Sequence, residues 1–232
     1  MITLAIDTTS GTASCALTRY GRLLGVSTVD GILTHSETML PMIEQMLKNL
    51  SLTVGDVDIF AVTEGPGSFT GVWIGVATMK GLAFGSGKPC VGVSTLEALA
   101  ENLEGFDGLI VPVMDARRQQ VYTAIFSAGE RLMPDSLLPL SELCAELLKY
   151  ELPIYLVGDG YDLAARFISS DERLAGRLRT TPAGLRPHSA VSAALLAGEK
   201  FASGEYVSDR ELRPLYLRDS QAERERKERE SK

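Results

Sequence analysis

The stretch EGPGSFTG, residues 64–71, lies between an apolar run and a glycine-spaced helix. The apolar run at residues 59–63 is typical of a buried strand, and Gly-Pro-Gly ends such a strand in a tight turn. Ser68 or Thr70 can then cap the helix that we predict over residues 69–84. The stretch therefore predicts a strand, a turn and a helix in direct succession.

Glycines inside this predicted helix carry a cost in stability. Gly75 and Gly81 each cost about 1 kcal/mol relative to alanine at an interior helical position. Close approach of another backbone is the usual compensation, and small residues four apart, such as Gly71 and Gly75, permit it. We therefore expect this helix to press against another segment.

Length and charge limit the class of protein. The 232 residues can form one large or two small domains, and 45% of them are hydrophobic, which is enough for a core. The net charge of −7 argues against unaided binding to nucleic acid, because phosphates require a basic surface. The start of the chain lacks a signal-peptide pattern, and no apolar run approaches the roughly 20 residues of a membrane span. We expect a cytoplasmic protein without a membrane partner.

Residue types that ligate metals are sparse and scattered. Cys15, Cys90 and Cys144 form no CxxC pair, so the pattern predicts buried free thiols and neither a zinc site nor a disulfide framework. The only histidines are His35 and His188, and we expect them to lie on different lobes. The sequence therefore predicts no metal site.

One unit of the chain repeats after 108 residues. An apolar run ending in Asp7 leads through a polar turn to a returning strand and then Gly21, and the same order recurs from Asp115 to Gly129. The alternation of apolar and polar residues is typical of antiparallel hairpins. Because Ala16 and Ala124 share this offset with the two Asp and the two Gly positions, we predict a duplicated unit and two α/β lobes.

The domain limits follow from this repeat. We predict a first lobe over residues 1–104, a second lobe over 105–218 and a charged tail over 219–232. A capping-box pattern at residues 34–37 predicts a helix over 36–50. The remaining predicted helices and strands span residues 90–93, 96–103, 141–150, 154–157 and 189–202.

Six motifs follow one another along nearly the whole chain. They are IDT at 6–8, THSE at 34–37, GPGSFTG at 65–71, GVSTL at 92–96, DAR at 115–117 and PLYLR at 214–218. Together they resemble the bacterial TsaB family. The resemblance implies an α/β fold of the actin, sugar-kinase and Hsp70 superfamily (ASKHA), duplicated into two lobes that each hold a mixed sheet and helices.

The resemblance also implies a role in tRNA modification. TsaB proteins are described as non-catalytic dimerization subunits of the machinery that transfers threonylcarbamoyl to N6 of adenosine 37 in tRNAs reading ANN codons. The implied partners are the catalytic paralogue TsaD and the ATPase TsaE, with a homodimer when the chain is alone. Contact with tRNA is implied only through the complex.

The positions that match the catalytic centre of TsaD argue against an enzyme. That paralogue carries a His-x-x-x-His metal pair on the helix after the strand matched here by residues 90–93. The corresponding residues of this chain are Thr95 and Leu99. Leucine cannot ligate a metal, and a lone threonine does not hold one. The resemblance therefore implies an inactive paralogue without a metal or other cofactor.

A nucleotide-binding cleft is the alternative that the residues leave open. The superfamily cradles phosphate with an Asp and a glycine-containing turn, whereas Thr8, Thr9 and Ser10 follow Asp7 here. Their hydroxyls and amides could still hold an anion, and with Asp115 they form a candidate site for weak ATP or ADP binding. The alternative function is an ATP-dependent kinase or ATPase. For both carboxylates, a purely local role in the turn is the structural alternative.

The resemblance assigns the partner interface to the helices predicted over 36–50 and 69–84. They would meet the equivalent helices of the partner, or of a second copy, in a four-helix contact. Relatives often carry Arg where this chain has Trp73, so an aromatic anchor would replace a charged contact. The predicted interface residues are Met39, Met42, Met46, Gly71, Trp73, Gly75, Val76 and Met79.

Overall fold

The structure, a computed structural model, describes residues 1–31 and 34–217. Its first lobe holds three helices and a five-stranded sheet. The strands are β1 (Ile2–Asp7), β2 (Thr12–Arg19), β3 (Arg22–Asp30), β4 (Ile59–Gly65) and β5 (Cys90–Ser94). The helices are α1 (His35–Asn49), α2 (Phe69–Ala83) and α3 (Thr95–Glu101), and a 3-10 turn spans Val54–Asp56.

The second lobe holds the other five strands. They are β6 (Leu109–Asp115), β7 (Gln120–Ser127), β8 (Glu130–Pro139), β9 (Ile154–Val157) and β10 (Leu178–Arg179). The helices that follow them are α4 (Leu140–Leu147), α5 (Tyr161–Ser169), α6 (Glu172–Ala175) and α7 (Ala190–Ala202), with a 3-10 turn at Ala183–Leu185. None of the helices in the described ranges is long and apolar enough to cross a membrane.

The two sheets have the same topology, which confirms the predicted duplication. Their strand orders are β3-β2-β1-β4-β5 and β8-β7-β6-β9-β10. In each, an antiparallel hairpin is followed by parallel strands. The matching hairpin turns also agree in backbone conformation, because Tyr20 and Gly21 have φ values of 50° and 76°, and Ala128 and Gly129 have 50° and 79°. Two successive left-handed residues are what a tight two-residue hairpin turn requires.

The last helix of each lobe crosses to the other lobe, which corrects the predicted domain limits. Leu96 and Leu99 of α3 pack in a core cluster with Ile110 and Phe126 of the second sheet. Helix α7 packs on the first sheet, where its alanines share a cluster with Ala5. The part of 105–218 from α7 onward therefore belongs with the first lobe.

The segment after α7 stays with the first lobe as far as the structure describes it. Backbone hydrogen bonds of 2.8 and 2.9 Å join Cys90 to Val207, and the Leu215 amide donates to the Glu64 carbonyl at 2.7 Å. The predicted tail over 219–232 lies outside the described residues. All three cysteines are buried and free, as predicted.

Candidate functional site

The Gly-Pro-Gly-Ser motif seats the start of α2 on the turn after β1. Ser68 is the N-cap, and its hydroxyl accepts from the Gly71 amide at 3.4 Å, which confirms one of the two predicted caps. The Ser68 amide donates to the Thr9 carbonyl at 2.7 Å. A Cβ on Gly67 would lie 2.5 Å from the Thr9 carbonyl oxygen, so only glycine fits there.

The same motif also holds the segment at the carboxyl end of the described chain. Gly65 has a φ of +126°, and a Cβ there would lie 2.1 Å from the Leu215 carbonyl oxygen. At the first residue of α2, the Phe69 ring stacks on Tyr216 with ring centroids 5.1 Å apart. The glycines of the motif thus serve two close approaches within one chain.

Gly71 and Gly75 of α2 face the first lobe itself and not a partner, which corrects the expectation for these two residues. A Cβ on Gly71 would lie 2.0 Å from the Thr8 carbonyl oxygen, and one on Gly75 would lie 2.4 Å from Thr8 Oγ1. Thr8 Oγ1 in turn donates to the Gly71 carbonyl at 2.7 Å. The predicted close approach of another backbone exists, but that backbone is the turn after β1 of the same chain.

Most of the other predicted interface residues also lie in the core of the first lobe. Four of their apolar side chains point towards the sheet and are each less than 7% exposed. Met42 is partly buried against the same core. Trp73 differs, with 48% of its surface exposed. The four buried residues are Met39, Met46, Val76 and Met79.

The outer face of α2 is apolar as well. We define it by five residues, of which the first four are spaced by one helical turn: Phe69, Trp73, Ala77, Gly81 and Phe84, all exposed. Phe84, the C-cap, is 76% exposed, and nothing within 4 Å would meet a Cβ on Gly81. A helix that is apolar all round is normally covered on both sides. The outer face is therefore the part of α2 that the fold leaves uncovered.

Asp7 lies at the end of β1 and is 1% exposed. Its Oδ1 accepts from the Thr9 amide at 2.8 Å and from the Thr9 hydroxyl at 2.7 Å. Its Oδ2 lies 3.4 Å from Nδ1 of His188, which is 2% exposed and immediately precedes the N-cap of α7. The sequence predicts His35 and His188 on different lobes, but the crossing of α7 to the first sheet brings His188 against Asp7.

The two buried groups hold each other in the charged state. Burial opposes ionisation of Asp7, but the charge of His188 and the hydrogen bonds from His188 and Thr9 together hold the pKa of Asp7 below its ordinary value. Burial likewise opposes protonation of His188, yet Asp7, with a smaller contribution from Asp159, raises the pKa of His188. Asp7 is therefore an ion-paired, hydrogen-bonded turn carboxylate.

The turn after β6 is exposed to solvent, in contrast to the turn after β1. The Arg117 amide donates to Asp115 Oδ1 at 2.8 Å, and the guanidinium lies 3.6 Å from Oδ2 while its side chain is 86% exposed. Three successive residues, Arg117, Arg118 and Gln119, have φ values of 67°, 54° and 58°. Such left-handed conformations are unfavourable for residues other than glycine. Asp159, whose pKa burial raises despite His188, accepts from the Asp115 amide at 3.3 Å.

A cleft of about 560 Å³ lies between these two turns. Thr9, Ser10 and Asp115 of the predicted anion site line it, whereas Asp7 and Thr8 do not, because the start of α2 and His188 cover them. The other lining residues include His35, Ser68, Arg117 and Asp159. His35 is fixed by a 2.7 Å contact between its Nε2 and the Ser10 carbonyl. Of the two carboxylates in the predicted anion site, Asp7 and Asp115, only Asp115 lines the cleft.

The positions that match the metal pair of TsaD are packed in the core. Thr95 and Leu99 of α3 are 0% and 1% exposed. Within residues 1–31 and 34–217, no group of three or more His, Cys, Asp or Glu side chains is placed to hold a metal ion.

Comparison with known proteins agrees with this architecture. A family model described as TsaD, tRNA N6-adenosine threonylcarbamoyltransferase, matches residues 25–225. The tRNA threonylcarbamoyladenosine biosynthesis protein TsaB of Bacillus subtilis is 35% identical over 172 residues, which are 72% of this chain and 75% of that protein. The structure of YeaZ from Pseudomonas aeruginosa is similar with a TM-score of 0.73 and 27% identity, over 93% of this chain and 99% of that one.

The duplicated sheets and the cleft between them define a two-lobed α/β protein of the ASKHA fold. The ROK hexokinase from Thermus thermophilus shares the fold alone, with a TM-score of 0.50 and 13% identity over 88% of this chain and 100% of that one. Within this class, the curated and structural relatives are specific. The chain belongs to the TsaB family of tRNA threonylcarbamoyladenosine biosynthesis. The family predicted from the six motifs is confirmed.

Proposed function

We propose that the chain is a non-catalytic dimerization subunit that supports a TsaD-type enzyme in threonylcarbamoyl transfer to adenosine 37 of tRNA. The observation that carries the proposal is the outer face of α2. Two large aromatic side chains, Trp73 and Phe84, are exposed there beside Ala77 and Gly81, whose small size allows a second helix to approach. On α1, the other helix of the proposed interface, Leu40 is 51% exposed.

The proposed contact would combine large aromatic side chains with the small residues beside them on α2. Trp73 supplies an aromatic anchor, a residue type enriched at binding hot spots. In the family interface the equivalent helices of the catalytic paralogue, or of a second copy when the chain is alone, would cover α1 and α2. A TsaE-type ATPase would join this pair, and tRNA would be held through the complex because this chain is acidic.

The kinase or ATPase alternative receives little support from the cleft. Its central carboxylate, Asp7, is buried and already satisfied by Thr9 and His188, so it does not face a nucleotide. Catalysis of threonylcarbamoyl transfer by this chain alone is not favoured either, since Thr95 and Leu99 offer no metal ligands. A scaffold role needs neither group.

Reconstitution tests the proposal directly. Threonylcarbamoyl-adenylate, tRNA and the TsaD-type and TsaE-type proteins are combined with and without this chain, and modified adenosine is measured. We expect modification only when the chain is added, and none from the chain alone. Equal modification without the chain would refute the scaffold role.

A variant pair ties this role to the outer face of α2. Trp73→Glu should weaken binding to the TsaD-type partner by about 30-fold or more, as loss of a hot spot does, and lower modification in parallel. Leu152→Glu, an exposed leucine in the second lobe, is the matched control and should bind as the wild type does. Folding should survive in both because each side chain is substantially exposed. Unchanged affinity of Trp73→Glu would remove the outer face from the interface.

A further inference from the structure

A second concave site lies at the junction of the lobes. It is formed near one end of the β6–β7 hairpin, and Asp115 lies at the other end. It has a volume of about 440 Å³, and we call it the α3 pocket. Its walls come from α3, the connection to β6, the β7–β8 turn and α7. The residues that the argument uses are Ala100, Glu101, Glu104, Asp107, Phe126 and Leu196. None of them lines the cleft or the outer face of α2.

The floor of the α3 pocket is apolar. Ala100, Phe126 and Leu196 contribute side chains that are each less than 10% exposed. The guanidinium carbon of Arg131 lies 4.6 Å from the centroid of Phe126, so the ring already accepts one organic cation on a face. A cavity of this size and lining is within the range of small-molecule sites, which is roughly 300–1,000 Å³.

Three carboxylates on the rim form no ion pair within residues 1–31 and 34–217. Among the described ion pairs, Arg131 and Lys200 both engage Glu97, at 3.7 and 3.4 Å, whereas Glu101, Glu104 and Asp107 take part in none. Burial first, and then the charges of Glu104 and of Glu199 on α7, raise the pKa of Glu101 to about 7, with smaller contributions from a hydrogen bond with Glu104 and from the charge of Glu97. The pocket therefore combines apolar walls with uncompensated negative charge.

We propose that the α3 pocket binds a small organic cation whose guanidinium or ammonium head is carried on an alkyl stem. The stem would lie on Phe126 and Leu196, and the head would meet Glu101 and Glu104. A bare divalent ion fits less well, because no group of three acidic, Cys or His side chains within the described residues converges on one point. The proposal is independent of the partner surface on α2.

The test is calorimetric titration of the full chain with butylguanidinium and with butylurea, its uncharged counterpart of similar shape. We expect butylguanidinium to bind at least about tenfold more tightly at pH 7, because only the cation gains from the rim. Glu101→Gln should remove most of that preference. Glu172→Gln, the same change at an exposed position on α6, is the matched control and should leave it intact.

Proton release sharpens the test. Binding of a cation favours the ionised form of Glu101, so titration at pH 7 should release up to about half a proton, measured by comparing buffers of different ionisation enthalpy. The affinity should rise from pH 6 to pH 8, and both effects should be absent in Glu101→Gln. Equal binding of butylurea, no binding of butylguanidinium at about 10 mM, or an unaltered preference in Glu101→Gln would each overturn the proposal.

Discussion

The turns after β1 and β6 descend from one repeated unit, yet they differ in almost every physical property. The first holds Asp7 without access to solvent, tied by Thr9 and His188. The second holds Asp115 at the cleft beside an exposed Arg117. The difference arises because α2 and the segment before α7 cover the turn after β1, whereas Gly160 at the start of α5 lies against the end of β6 and leaves Asp115 at the cleft. Duplication preserved the strand order, whereas each turn has its own backbone conformation and its own environment.

Replacing the two aspartates gives the largest expected contrast. Asp7→Ala should lower the free energy of unfolding by about 3–5 kcal/mol, because it leaves a buried His188 charge without its partner. Asp115→Ala should change it by about 0.5 kcal/mol or less, because the contact with Arg117 is largely solvated. Urea denaturation of both variants measures the difference. Similar losses in the two would show that the first turn is no more tightly built than the second.

The sequence could predict the plan of the turns but not their environments. Asp and Gly at a common offset of 108 residues revealed the two hairpins, because hairpin chemistry is local. The pair of Asp7 and His188 joins residues 181 positions apart and depends on α7 crossing to the first sheet. No local pattern records such a crossing.

The sequence patterns also do not predict α5 and β8, and the reasons for these two omissions are local. Helix α5 has Gly160 as its N-cap and therefore no side-chain cap, so its sequence lacks the usual start signal. Strand β8 contains Pro134 and Pro139, which normally argue against a strand but are tolerated at the edge of a sheet. Gly71 and Gly75 of α2 predicted a close approach correctly, but their spacing alone could not tell Thr8 of the same chain from a partner.

Two glycines of α2 test the packing over the first turn. Gly71→Ala should destabilise the protein by about 2–3 kcal/mol, since its Cβ would overlap the Thr8 carbonyl oxygen. Gly81→Ala, in the same helix but facing open space, should stabilise it by up to about 1 kcal/mol through helix propensity. Thermal and urea unfolding would give the two signs. A Gly71→Ala protein as stable as the wild type would mean that Thr8 can move away without cost.

The dependence of stability on pH sharpens the contrast further. The pKa of His188 is raised in the folded state, so its contribution is complete below the unfolded value near 6.5 and is lost as pH rises through the folded pKa. The pKa of Asp7 is lowered, so its contribution is present above about 3.9 and is lost as pH falls through the folded pKa.

Urea unfolding at several pH values should therefore show the alkaline loss in the wild type and not in His188→Gln. NMR titration of the two histidine rings provides the direct measurement, with His188 expected to titrate above the ordinary histidine range. A His188 signal that titrates below that range would mean that burial outweighs the pairing with Asp7.

The smallest expected effect concerns the backbone of the second turn. Gln119 has a φ of 58°, and glycine adopts that conformation without the steric penalty of a Cβ, although its unfolded state is more flexible. Gln119→Gly should therefore stabilise the protein by about 0.5 kcal/mol. The turn after β1 offers the comparison, because Ser10 has no left-handed φ, and Ser10→Gly should destabilise through added flexibility and through loss of the 3.2 Å hydrogen bond from the Thr12 amide to Ser10 Oγ. If both changes destabilise equally, the conformation at Gln119 carries no strain, and the two turns differ only in what packs above them.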